Sequence, residues 1–343
     1  MTRRGGFFIA LALVAAFLLG TLAYKGLPGL SRWLLSEETP FRWPEGFSIV
    51  EIESNLDRTR QKAIFHRAAG GTKRPLLVSL HIWSGDYASS DSLAQLADKE
   101  NWNYIHPDFR GPNRATDNCL SDKVVGDIDD AIAYGMLAGN VDPDRIFVVG
   151  FSGGAYAALG MYARTRHRVR AFLAWAPISD LGAWHDESTA RGDIELARQI
   201  RQCTGSAEQL IAEAARLRSP LYWPLPETPK ARIEIFAGIN DGYSGLVPIS
   251  HSIRFFNRLV DTYGARESLV TADEISALLS RGLVPQPGMA QIGGRTLLFQ
   301  RDAVFGSLTV FQGGHEMPPA FCFAQLQDLV KRVAGAESRR SGG

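Results

Sequence analysis

The chain is short of the residues that build metal sites, with three cysteines and seven histidines in 343 residues. None of them stands at the close paired spacing that ligand sets use, so no metal is expected. An excess of either charge is also missing. Lysine and arginine total 37 against 36 aspartates and glutamates, which leaves no electrostatic footprint for nucleic acid. No segment repeats at a fixed period, which leaves out solenoids and arrays. Low complexity is confined to the tail "GAESRRSGG", and there is a single long apolar run, near the start. What remains is the composition of an ordinary globular protein, 45% hydrophobic and 21% charged, able to bury a large core. Nothing in it sets an oligomeric state.

The apolar run extends from Phe7 to Tyr24 behind Arg3 and Arg4. Its length lies between that of a signal-peptide core and a membrane span, and Thr21-Leu22-Ala23 offers small residues for cleavage. The expected organisation is a signal peptide or signal anchor over 1–24 and a Pro/Gly-broken linker over 25–46. An α/β catalytic domain over 47–335 follows, then a disordered tail over 336–343. The two arginines would hold the N-terminus in the cytoplasm and send the domain outside, into a periplasmic or cell-envelope space if the source is bacterial. Contact with a membrane is expected only through that leader. In an oxidising space two of the three cysteines can pair. Cys119 and Cys203 fall in polar, loop-like stretches and are expected to bridge, with Cys322 buried as a small hydrophobe at the head of a terminal helix.

Helical and strand patterns alternate through the rest, as in a single α/β domain with a mostly parallel sheet. "FSIVEIES" and "RQKAIFHRA" read as a hairpin, and "PLLVSLH", "NYIHPD", "VDPDRIFVVG", "VRAFLAWAPISD" and "ARIEIFAGIND" as core strands. "RTLLFQRD" and "GSLTVFQGG" read as a late strand pair before a final helix. Residues 181–230 are helical in pattern and too long for a simple connection, and are read as a cap. Parallel strands with helical crossovers collect ligand sites at their carboxyl ends. Ser152, Asp180, Asp241, His81, Asp108 and His315 all fall at such ends.

The stretch "RIFVVGFSGGAYAALG" (Arg145 to Gly160) carries the chemistry. A β-branched strand stops on Gly150, and a small-residue helix begins at once, leaving Ser152 at the apex of a turn too tight for bulky neighbours. That is the sequence form of a nucleophile elbow, Gly-x-Ser-x-Gly, although in isolation it also describes a plain strand-to-helix turn. A serine hydroxyl needs a base, and the base an orienting acid, in the chain order Ser, Asp or Glu, His. Downstream of Ser152, His167 lies in a basic solvated stretch, His185 in the cap, and His251 at the start of a helix. His315, after a strand and two glycines, is the expected base. Asp241 is the expected acid because it follows the cap and leaves one strand between itself and His315, with Asp180 as the competitor. The oxyanion donors are expected to be the backbone N–H groups of Gly153 and of Trp83, in the loop "HIWSGD", which His81 would brace. Trp83, Phe151, Trp184, Tyr222 and Trp223 could wall a substrate pocket, or equally belong to the core.

These stretches resemble the α/β-hydrolases, and more narrowly the prolyl-oligopeptidase-type catalytic domain and its esterase relatives. The resemblance is carried by "VDPDRIFVVGFSGG", "HPDFRGP", "RSPLYW", "GINDGYSGLVP" and "GGHE", in that order. It implies Ser152 as nucleophile, Asp241 as acid and His315 as base, with no metal or organic cofactor. "HIWSG" departs from the usual glycine-rich oxyanion loop, and the chain leaves no room for the β-propeller that restricts peptidase members to short peptides. The reading is therefore an exported serine hydrolase acting on a small or oligomeric carboxylic ester. A serine peptidase and a non-catalytic binding protein on the same fold are the alternatives.

Overall fold

The computed structural model describes residues 41–341, with side chains to 331. The leader expected over 1–24, most of the linker and the last two residues lie outside the described residues. The fold proper begins at Trp43. Its sheet is assembled from β1 (Ser48–Glu53), β2 (Arg60–His66), β3 (Arg74–Leu80), β4 (Asn103–Pro107), β5 (Val141–Phe151), β6 (Ala171–Trp175), β7 (Arg232–Gly238), β8 (Gln291–Ile292), β9 (Arg295–Ala303) and β10 (Gly306–Phe311). The spatial order is β1-β2-β4-β3-β5-β6-β7-β10-β9-β8. Strands β4, β3, β5, β6, β7 and β10 run parallel, and antiparallel strands finish both edges.

Helices on both faces explain why the central strands read as unbroken apolar runs and not as alternating ones. In β3, Leu76, Val78 and Leu80 face one core and Leu77 the other. The first core receives α2 (Asp122–Ala138), α3 (Gly153–Arg164) and α7 (Ser250–Tyr263). The second receives α1 (Ser92–Lys99) and α9 (Pro319–Ser341). The segment between β6 and β7 forms α4 (Leu181–Ala190), α5 (Ile194–Cys203), α6 (Ala212–Leu217) and a 3-10 turn at Pro220–Tyr222.

Two sequence expectations change here. The helix α9 continues to Ser341, through most of the tail read as disordered. Its alanine, glutamate and arginine residues favour helix, and no proline stops it. The sequence reading also passed over α8 (Ala272–Leu279), although Thr271 and Glu274 form the capping box that signals a helix start. Cys119 and Cys203 are disulfide-bonded, with Cα atoms 5.6 Å apart. Cys322 is free and buried, and burial pushes its thiol well above the usual range. Among the described residues no helix is long and apolar enough to cross a membrane.

Candidate active site

Strand β5 delivers Ser152 into a backbone conformation that serine rarely adopts, φ 55° and ψ −117°. Such strain persists only where the surroundings over-determine it. Here two close approaches do so. A Cβ at Gly154 would overlap the Leu80 carbonyl oxygen of β3, and a Cβ at Gly153 would overlap the Trp83 amide nitrogen, each under 3.0 Å. Only glycine lets the helix α3 start this close to the neighbouring strand. The Ser152 amide donates to the Trp175 carbonyl of β6 at 2.9 Å, which ties the apex to the sheet.

The other two predicted residues come from adjacent strands. Parallel pairing sets Phe311 of β10 beside Gly238 of β7, so the loops that follow them lie together. Ile239 N–H donates to the Phe311 carbonyl and Asn240 N–H to that of Gly313, both at 2.9 Å. At the ends of these loops His315 Nδ1 donates to Asp241 Oδ2 at 2.7 Å. The other oxygen, Oδ1, accepts the N–H groups of Gly242 and Val247, each at 3.0 Å. Asp241 is 1% exposed, and these three hydrogen bonds hold its carboxylate in place. An ionised carboxylate only accepts, which keeps the imidazole proton on Nδ1 and leaves Nε2 with a free lone pair. The His315 ring packs on Phe151, with centroids 4.7 Å apart, next to the apex serine. No hydrogen bond joins Ser152 Oγ to His315 among the described residues. Nucleophile–base bonds are often long in unliganded sites and shorten when substrate binds.

The Trp83 amide nitrogen lies close against the Cα of Gly153, the residue after Ser152, and neither the Gly153 nor the Trp83 N–H has an acceptor among the described residues. A pair of N–H groups with no protein partner, one of them at the start of a helix, can stabilise a developing negative charge. His81 braces the same loop, its ring nitrogens 2.9 Å from the Ile82 carbonyl and 2.7 Å from that of Asp108. Burial pushes its pKa down to about 4, and the neutral ring carries a single N–H, so it donates to one of the two carbonyls at a time.

The competing residues are otherwise engaged. Asp180 caps α4 through Gly182 and Ala183 and accepts from the Tyr222 hydroxyl and Arg254. His251 is buried and bridges Ser179 to Glu187. His167 is bonded to the Asp129 carbonyl and His185 to Asp186.

Among the described residues the five aromatic side chains proposed for a pocket are spread over different surroundings. Trp83 and Trp184 are buried, stacked edge-to-face at 4.8 Å, with their indole N–H groups donated to Gln199 and Leu246. Trp223 is buried beneath Arg164 and donates to the Leu217 carbonyl. Satisfied and desolvated indoles of this kind pack the cap onto the body. Tyr222 and Trp223 border a different cavity, alongside Lys123 and Arg216. Phe151 lines a cavity of about 490 Å³ with Ile82, Ser90 and Met317.

No protein-family model and no curated protein sequence matches the chain. Solved structures do. The puromycin-hydrolyzing peptidase of Mycobacterium tuberculosis aligns with a TM-score of 0.53 at 15% identity, over 82% of this chain and 38% of that one. The acylaminoacyl peptidase of Pyrococcus horikoshii gives 0.52 at 17% identity, over 63% of this chain and 35% of that one. Prolyl oligopeptidase B of Galerina marginata gives 0.52 at 15% identity, over 63% and 31%. The chain thus spans about a third of the length of the structures it resembles. At these identities the likeness is one of fold. The protein has the α/β-hydrolase fold, in the form found in the prolyl oligopeptidase and acylaminoacyl peptidase structures.

Proposed function

We propose that this protein is a serine hydrolase that cleaves carboxylic esters through an acyl-enzyme. The observation that carries the reading is the His315–Asp241 hydrogen bond at 2.7 Å, with the His315 ring packed on Phe151, the residue before a serine held at φ 55° at the end of β5. In this reading Ser152 Oγ attacks the ester carbonyl as His315 Nε2 takes its proton. The tetrahedral oxyanion is held by the amides of Gly153 and Trp83. His315 then passes the proton to the departing alkoxide, and water repeats the cycle on the acyl-serine. Asp241 stabilises the imidazolium and keeps its orientation. Asp241→Asn, which favours the wrong tautomer, is expected to lower kcat about 10⁴-fold with the fold unchanged. Steady-state kinetics alongside circular dichroism checks this, and a loss smaller than tenfold would count against the assignment.

The preference for esters rests on the acids of the cap. Glu187 accepts from buried His251, and Asp186 is largely solvent-exposed, so neither is fixed in place to hold the amino end of a peptide. Peptide cleavage is the second reading, favoured by the fold shared with the acylaminoacyl peptidase and prolyl oligopeptidase structures. A fluorophosphonate probe with mapping of the modified residue, followed by p-nitrophenyl esters against aminoacyl and prolyl anilides, separates the readings. Modification at Ser152 with faster ester turnover is expected. Efficient anilide cleavage with negligible ester turnover would favour the peptidase, and no modification would favour a binding protein. We propose export as well, to a periplasmic or cell-envelope space, supported by the Phe7–Tyr24 run behind Arg3 and Arg4 and by the Cys119–Cys203 pair.

A further inference from the structure

The Trp83 amide must be aimed accurately if it is to act on an oxyanion, yet it sits on a loop. We propose that Asn113 is a positioning residue for that amide, and that the Cys119–Cys203 disulfide belongs to the same device. The inference rests on the serine hydrolase reading.

Trp83 is pinned at three places. The peptide unit that carries its N–H has its carbonyl on Ile82, which accepts from Gly85 N–H at 3.0 Å and lies 2.9 Å from His81 Nδ1. In a trans peptide the C=O and N–H point in opposite directions, so fixing one aims the other. The next peptide unit is fixed through the Trp83 carbonyl, which accepts both the backbone N–H of Asn113 at 2.9 Å and its side-chain Nδ2 at 3.2 Å. Third, the indole Nε1 donates to Gln199 Oε1 at 3.0 Å.

The partners belong to two segments far apart in sequence. Asn113 lies in the loop after β4 and Gln199 on α5. Six residues after Asn113 in its loop is Cys119, and one turn beyond Gln199 is Cys203, the two halves of the disulfide. The bridge therefore staples the segment that holds the Trp83 backbone to the helix that holds its ring. The loop needs such a staple. Phe109, Arg110, Cys119 and Leu120 all have positive φ, at 29°, 80°, 27° and 56°. Non-glycine residues keep these angles only under restraint. Arg110 supplies it at one end by bonding Asp57 and Asp127, and the disulfide supplies it at the other.

A displacement of about 1 Å in a catalytic group can cost on the order of 10²-fold in rate. Asn113→Asp keeps the shape but turns a donor into an acceptor facing the Trp83 carbonyl. The double variant Cys119→Ala/Cys203→Ala removes the staple without touching Trp83. Both are expected to lower kcat for p-nitrophenyl esters about 10- to 100-fold with KM within about twofold, because an oxyanion donor acts in the transition state. Asn113→Gln, which keeps the donor, is expected to recover part of the loss. The second measurement does not need turnover. Selective ¹⁵N labelling of the seven tryptophans should give a Trp83 backbone amide resonance that shifts or splits in both variants, while that of Trp175, in the central strand β6, stays in place. Unchanged kcat in a folded variant would overturn the proposal, as would a Trp83 resonance that does not move. Failure of the wild-type protein to turn over any ester or anilide would sink the hydrolase reading, and the tryptophan spectra would still decide whether Asn113 and the disulfide fix Trp83.

Discussion

Ser152→Ala is expected to lower kcat/KM about 10⁶-fold, the scale found when a triad serine is removed elsewhere, and to abolish fluorophosphonate modification. The substitution isolates chemistry from folding unusually well. The serine side chain makes no capping hydrogen bond to α3, so alanine leaves no buried donor or acceptor unpaired. The backbone angles suit alanine as poorly as serine, so the strain stays and the melting temperature should barely move. Ser152→Gly is expected to be equally inactive but to melt higher than Ser152→Ala, because glycine adopts φ 55° and ψ −117° freely. Calorimetry and labelling on the two variants check both halves. Persistent modification of the alanine variant would place the nucleophile elsewhere.

Gly153→Ala should fail in both stability and catalysis. At the first position of a helix alanine is better than glycine by up to about 1 kcal/mol, and in an unencumbered helix the change would stabilise. Here the added Cβ would overlap the amide nitrogen and Cα of Trp83 and the carbonyl carbon of Ile82, all backbone atoms that cannot rotate away. Overpacking of this kind costs about 1–3 kcal/mol and wins over the helix preference. The loop that must retreat carries one proposed oxyanion donor, and the substituted residue carries the other. A fall in kcat of about 10²- to 10³-fold is therefore expected, with a smaller change in KM. Paired thermal melts and kinetics test this. A variant that melts higher with unchanged kcat would show that the loop is not where the structure places it.

The local chemistry was legible in the sequence because it depends on neighbours along the chain. Gly150 to Gly154 forces a tight turn whatever surrounds it, and the unbroken apolar strands announce a sheet covered on both faces. The order Ser152, Asp241, His315 follows from the way successive strands reach one edge of such a sheet. The choice between Asp180 and Asp241 was harder, since both end strands with a similar pattern. Only the parallel pairing of β7 with β10 puts Asp241, and not Asp180, within 2.7 Å of His315.

The tryptophans mark the limit. An indole has the same composition signal whether it lines a pocket or fills a core, and its fate depends on whether a distant carbonyl or amide meets its N–H. For Trp83, Trp184 and Trp223 those partners are Gln199, Leu246 and Leu217. Two of these three pairings reach across more than sixty residues, so only the folded packing of cap on body decides them. By itself the sequence determined the elbow, the parallel sheet and the short set of groups able to do acyl chemistry, because turn sterics and strand periodicity are local. That Asp241 and not its competitor Asp180 meets the imidazole, that Asn113 meets the Trp83 carbonyl and which aromatic rings are sealed away came from the tertiary structure, because each is a long-range contact set by how strands and cap pack together.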